Sequence, residues 1–475
     1  MTKMDAPMLS VEEVRLYEWP YVLRLPFRFG AITVTHGRQI VVHLRIRLTD
    51  GREAWGVAAE ALAAKWFDKS PELTDDQNLD QLRAAVELAV AAYLAGGRRN
   101  AFGHFASTYR DQLAEGARRR LPAIVASFGP AMLDRAVVDA LGRALGMSFY
   151  DLARSNALGI EAGSLTPDLA GFDIARFLAA LAPNETIEAR HTVGMVDPIV
   201  ATDQTPAERV NDGLPETLEE VVAAYGHRYF KLKVGGNVAA DVARLSKIAS
   251  VLDRAREPYF ATLDGNEQFA DAAGVLELWR AIEATPALAR LRESVLFIEQ
   301  PIKRAAALAA DVRALAAKKK VIVDESDGEL ETFSQARALG YAGISSKNCK
   351  GLYKSILNAA RCRNWGDCFM SAEDLTTLAG VSVQQDLALV NLIGLTHVER
   401  NGHHFVDGFA GRPAGEARGF LAAHPRLYRE SHGRVRLDIR GGKLALGSLG
   451  CPGFAIGAGL DFSAMTPMPK PSWPS

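Results

Sequence analysis

The stretch Tyr229-Phe230-Lys231-Leu232-Lys233-Val234-Gly235-Gly236 decides how the rest of the chain reads. It is too short for a helix, rich in β-formers, and ends in two lysines followed by a glycine pair. Similar short apolar runs with polar ends recur after it: YFATLD (259–264), VLFIE (295–299), VIVDE (321–325), GISSK (343–347), CFMSAE (368–373) and THVER (396–400). RHTVGMV (190–196) precedes it. The polar ends Lys231, Asp264, Glu299, Asp324, Lys347, Glu373 and Glu399 are 33, 35, 25, 23, 26 and 26 residues apart. A strand, a returning helix and two loops need about that much chain. Eight such units, without a glycine fingerprint for a dinucleotide, predict an α/β protein built on a modified (β/α)8 barrel.

Outward from the barrel the pattern changes. Residues 11–25 and Gln39–Leu48, with Asp50-Gly51 before Arg52–Ala58, predict an antiparallel sheet. Apolar stripes over Leu79–Tyr93 and Ala131–Leu152 predict helices behind it. This gives an α+β capping domain over 1–155, a barrel over 156–425, and a tail over 426–475 expected to pack back on the cap. Within the tail, Arg434–Ile439 and Lys443–Leu446 read as one hairpin, and the final TPMPKPSWPS as loose chain.

Composition narrows the function. Of 475 residues, 48% are apolar and 23% charged, the profile of a folded globular protein. Lys plus Arg number 55 against 56 Asp plus Glu, and a net charge of -1 offers no footprint for nucleic acid or an anionic membrane. No apolar run is long enough for a membrane span, and MTKMDAPMLS lacks the apolar stretch of a signal peptide. Four cysteines without C-x-x-C spacing fit reduced thiols, so a cytoplasmic protein is expected.

Barrel enzymes carry their chemistry at the C-terminal ends of the strands. Those ends bring Asp264, Glu299 and Asp324 together on neighbouring strands. Three carboxylates at a dry strand edge repel one another unless a cation joins them, and hard oxygen ligands suit Mg2+, or Mn2+ in its place. Asn266 is placed to brace that centre. Lys231 and Lys233, two apart on a strand, share a face. Two ammonium groups side by side disfavour each other's protonation, the condition under which a lysine serves as base. Lys347 approaches from the other side, with Lys350 as its rival. Lysines flanking a metal–carboxylate centre suit removal of the proton α to a substrate carboxylate to give an enediolate. Racemisation or epimerisation follows if both faces are served, elimination or cycloisomerisation if one lysine only supports charge. Two other readings stay open: a lysine that forms a Schiff base in an aldolase or lyase, and a non-catalytic barrel kept for binding.

The series KLKVGG (231–236), LDGNEQF (263–269), FIEQP (297–301), VDES (323–326) and ISSKNCKG (344–351) resembles the enolase superfamily, and within it the muconate-lactonizing subgroup of cycloisomerases, o-succinylbenzoate synthases and dipeptide epimerases. The resemblance implies that Asp264, Glu299 and Asp324 ligate Mg2+, that Lys233 is the base on one face with Lys231 beside it, and that Lys347 is its partner. Glu325 becomes an alternative ligand or a supporting carboxylate. Segment 26–35 resembles the family's mobile substrate loop and 60–67 its second specificity loop, which would bring Phe27, Phe29, Lys65 and Trp66 to the substrate. Glu373, Asp374 and Glu399 are candidates to orient it. The substrate would be a small-molecule carboxylate, and a homo-oligomer is expected on family grounds. Three features depart from the family: the segment after Lys347 holds one glycine, the interval from Asp264 to Glu299 is long and suggests an inserted turn around 284–294, and 197–216 is an insertion that would cover the barrel mouth.

Overall fold

A computed structural model describes residues 6–30, 32–375 and 377–474. Strands β1 (Leu9–Phe29), β2 (Ile32–Leu48) and β3 (Glu53–Ala61) form an antiparallel sheet. The stretch 26–35, expected as a loop, is instead the tip of a long hairpin, with Ala31 outside the described residues. Tyr21, Leu23, Leu25, Phe27 and Phe29 are all buried on one face of β1, the period of two that a half-buried strand requires. Helices Asp75–Ala95, Ala101–Arg118 and Ala123–Leu145 follow. The first is capped by Thr74, whose hydroxyl accepts from Gln77 N at 3.2 Å while the Gln77 side chain accepts from Thr74 N at 2.9 Å. Helix Ala123–Leu145 lies so close to β3 that a Cβ on Gly56 would fall 2.1 Å from Ala136 O. Only glycine fits that crossing.

The second unit is a curled sheet of eight parallel strands: β4 (Thr186–Val193), β5 (Tyr229–Lys233), β6 (Phe260–Asp264), β7 (Val295–Glu299), β8 (Val321–Val323), β9 (Gly343–Ser346), β10 (Phe369–Ala372) and β11 (His397–Glu399). Adjacent pairs run in order from β4 to β10, and β11 pairs with β4. No ladder joins β10 to β11 among the described residues, so the barrel has a seam. Arg190 of β4 spans it, donating to Ser371 Oγ at 3.1 Å and Ala372 O at 2.8 Å and lying 2.8 Å from His397 Nδ1. The long interval between Asp264 and Glu299 is taken up by a short helix, Ala289–Ser294, inserted before β7.

The tail differs from the sequence reading. The expected turn at Gly441-Gly442 is present, with Arg440 and Lys443 exchanging hydrogen bonds at 3.1 Å, but beyond it β13 (Arg434–Leu437) pairs with β12 (Tyr428–Ser431), and β14 (Lys443–Ala445) adds antiparallel to the edge of β4. Unsatisfied backbone on the first barrel strand is a stronger partner than a two-strand hairpin. The final segment is held as well: β15 (Thr466–Pro467) pairs with β1, Ser472 N donates to Asp80 at 3.1 Å, and Trp473 Nε1 donates to Arg119 O at 2.8 Å. An indole that can bury its ring and satisfy its N–H anchors a proline-rich strand. No helix among the described residues is long and apolar enough to cross a membrane.

Candidate active site

Register builds the site. Lys233 lies opposite Asp264, and Asp264 opposite Glu299, so three strand ends finish at one level. Glu299 pairs with Ile322, which sets Asp324 just beyond, and Ser346 pairs with Ala372, which sets Lys347 beside Glu373. The turns that follow are tight: Asn266, Glu267 and Gln300 have φ of +39°, +70° and +31°, in the left-handed region. Such backbone collects where a site must be held in place. Gln300 uses the turn to accept from Asp324 N at 2.8 Å and Ser326 N at 3.1 Å, which fixes the Asp324 main chain.

Oxygens of Asp264, Glu299 and Glu373 all lie within 4.8 Å of one another. Lys231 fills their midst: its Nζ is 2.7 Å from Asp264, 3.2 Å from Glu299, 2.6 Å from Glu373 and 3.0 Å from Glu399. Lys231 is wholly buried, and burial alone would favour its neutral form. The surrounding carboxylates, Asp264 foremost, instead drive its pKa well above the ordinary value. The expectation that neighbouring lysines weaken one another's hold on the proton therefore fails at Lys231: carboxylates outweigh Lys233.

Asp324 is drawn the other way, with Oδ2 2.6 Å from Lys347 Nζ and Oδ1 3.1 Å from Lys350 Nζ. Burial would raise its pKa, but Lys347, Lys350 and Lys231 hold it below the usual range. Glu299 moves oppositely, to about 7, through burial and the charges of Asp264 and Asp324 against the lowering pull of Lys231. Glu299 Oε1 has no partner, and Oε2 has only the Lys231 ammonium at 3.2 Å. A buried carboxylate with a free oxygen, between two other acids, is a donor set suited to a hard divalent cation.

Above this floor is a cavity of about 890 Å³. Of the four lysines only Lys233 and Lys347 line it, with Asn266, Glu373, Asp374 and Glu399. Lys231 lies beneath, and Lys350 is spent on Asp324, Asp327 and the Ser345 carbonyl. Lys233 Nζ is 2.6 Å from Asp264, and Lys347 Nζ is 2.8 Å from Glu373. The cap closes the cavity with Phe27, Phe29, Lys65 and Trp66. The Trp66 ring centre is 4.1 Å from Lys347 Nζ, a close cation–π contact. Lys65 also donates to Leu73 O at 2.7 Å.

Two expected features take a definite form here. Glu325, expected as an alternative ligand or a supporting carboxylate, makes the contacts of the second kind, accepting from Asn266 Nδ2 at 3.0 Å and pairing with Lys69 at 3.3 Å. Insertion 197–216 does not line the cavity; Asp212 pairs with Arg24 on β1 and ties the insertion to the cap. Lys69 and Arg304 were not singled out from sequence, and Asn401 was noted only as a neighbour of Glu399. Lys69 joins the cap to Glu267 at 2.5 Å, Arg304 donates to the Phe67 and Trp66 carbonyls, and Asn401 donates to Glu399 at 2.8 Å. Their signal is weak because each stands in or beside a loop and most of its partners are distant in sequence.

Residues 213–423 match the family model described as enolase C-terminal domain-like. No curated protein matches the chain. Solved structures do. A dipeptide epimerase from Enterococcus faecalis V583, crystallised with Mg and the dipeptide L-Leu-L-Tyr, aligns with TM-score 0.60 and 14% identity over 94% of this chain and 99% of that one. A muconate lactonizing enzyme from Pseudomonas fluorescens, complexed with muconolactone, gives 0.57 and 18% over 96% and 97%. An N-succinyl Arg/Lys racemase from Bacillus cereus ATCC 14579 gives 0.60 and 16% over 96% of each. The chain thus carries an enolase C-terminal domain-like region and has the fold of enolase superfamily members.

Proposed function

We propose that the chain is a divalent-cation-dependent enzyme that removes the proton α to the carboxylate of a small-molecule substrate. The observation that carries this reading is the partition of the lysines. Lys233 on β5 and Lys347 after β9 face one cavity from strands far apart round the sheet, while Lys231 and Lys350 are locked beneath it. Asp264, Glu299 and Asp324 would hold Mg2+ or Mn2+, which supplies Lewis-acid charge for a substrate carboxylate.

The chain's own groups then divide the work. Lys233 and Lys347 handle protons on opposite sides of the α-carbon: one takes the proton, and the other returns one or remains as an ammonium against developing negative charge. Lys231 balances the carboxylates from below. Phe27, Phe29 and Trp66 exclude water and receive an apolar part of the substrate. Two-sided delivery fits racemisation or epimerisation, and one-sided delivery fits elimination or cycloisomerisation. The solved relatives span these outcomes, with an epimerase, a racemase and a lactonizing enzyme among them. The four unpaired cysteines fit a cytoplasmic setting.

Deuterium uptake from D2O at the substrate α-carbon tests the reading, on a panel of dipeptides, N-acyl amino acids and acid sugars. Exchange is expected with Mg2+ and not with chelator, falling about 10²–10⁴-fold in Lys233→Met or Lys347→Met. Exchange that survives in the double variant removes the lysines from the reaction. Borohydride trapping of substrate on the protein would favour a Schiff base instead.

A further inference from the structure

On the outer side of the barrel sheet, three histidines converge without hydrogen-bond partners for their inward nitrogens. Arg190 and Thr192 of β4 point into the barrel, toward Ser371 and Glu399, so His191 between them points out toward the helical layer. His227, just before β5, and His403, in the short helix Gly402–Phe405 after β11, meet it there. One ligand nitrogen from each lies within 4.8 Å of the others. His191 Nδ1, His227 Nε2 and both ring nitrogens of His403 are buried and unpartnered. From these residues we infer a second metal site, in which His191, His227 and His403 bind a transition-metal dication of the Zn2+ class.

Geometry and surroundings support it. Imidazole binds zinc at about 2.0–2.1 Å, so ring centres stand about 3.2 Å from the ion and, for a tetrahedral spread, about 5.2 Å apart. The observed ring-centre separations are 5.3 Å, 5.5 Å and 5.4 Å. His227 Nδ1 lies 2.8 Å from Ala189 O, a bond that makes Nδ1 the donor and leaves Nε2 free to ligate. Burial holds all three rings in the neutral form that a metal requires. The nearby guanidinium groups of Arg24 and Arg400 are paired with Asp212 and Asp386, and so oppose a dication less. A cavity of about 20 Å³, room for one water, borders His403 and Tyr225. Nitrogen ligands without a carboxylate select against Mg2+, which separates this site from the acid cluster. The ion would pin β4, the start of β5 and the chain after β11 to one another.

The chelator-stripped full chain is titrated with Co2+ in excess Mg2+, and the visible absorption of tetrahedral cobalt is read. One Co2+ per chain with that spectrum, displaced by Zn2+, is expected. His403→Phe, which keeps the ring packing, and His403→Gln, which keeps polarity, should each lose it, with near-ultraviolet circular dichroism confirming a native fold. Asp264→Asn, in the acid cluster, should keep it. Absence of the spectrum in the wild-type chain, or a spectrum that survives both His403 variants, overturns the site and leaves the imidazoles as aromatic packing.

Discussion

At the scale of single residues, Lys231 has the clearest consequence. Among the described residues its ammonium is the one positive charge in contact with Asp264, Glu299, Glu373 and Glu399 together. Removing one member of a buried ionic cluster costs about 3–5 kcal/mol because the others stay buried and unpaired. Lys231→Met is therefore expected to unfold at markedly lower denaturant in chelator, and Mg2+ should raise its midpoint more than it raises the wild-type midpoint. Equal Mg2+ shifts would show that no cation takes over the lysine's role. A second comparison concerns the third metal ligand. Asp324 is committed to Lys347 and Lys350, while Glu373 is the acid within common reach of Asp264 and Glu299. If Asp324 turns to the cation on binding, as proposed, Asp324→Asn weakens Mg2+ affinity about 10–100-fold and Glu373→Gln less. The reverse order, read by calorimetric titration, would give the ligand role to Glu373.

At the scale of elements, the seam between β10 and β11 is the place where the barrel lacks a ladder, and Arg190 with His397 stands in for one. Burial, followed by the charge of Arg190, holds His397 down at about 3. The sign follows: below its ordinary value near 6.5 the unfolded chain takes up a proton that the folded chain refuses. His397 therefore contributes stability that is complete above pH 6.5 and is lost as pH falls toward about 3, a loss of about 2 kcal/mol by pH 5. Denaturation midpoints at pH 7.5 and 5 should differ by less in His397→Asn than in wild type. An unchanged difference would place the acid sensitivity elsewhere. The strands themselves were legible, because a buried parallel strand is a continuous apolar run. The seam was not legible, since nothing in PheMetSerAla (369–372) or HisValGlu (397–399) marks a missing neighbour.

At the scale of the whole molecule, the cap and the barrel meet through Arg304, which pairs with Glu267 at 2.8 Å and donates to the carbonyls of Trp66 and Phe67. Those contacts hold Trp66 over Lys347. Arg304→Ala is expected to lower kcat/KM about 10–100-fold, because small displacements of positioning groups carry large kinetic costs. Steady-state kinetics on the exchange substrate checks this, and unchanged values would mean that the loop is held by other contacts. By itself the sequence determined the succession of strands, the carboxylates and lysines at their ends, and the likeness to the enolase superfamily, because these depend on local periodicity and on spacing along the chain. Only the tertiary structure decided that Lys231 and Lys350 are buried under the floor while Lys233 and Lys347 reach the cavity. It also decided that Glu325 turns to Lys69, that β14 leaves its expected hairpin, and that three distant histidines meet. The physical reason is common to all of these: burial and charge pairing between distant segments depend on packing, which short-range pattern does not encode.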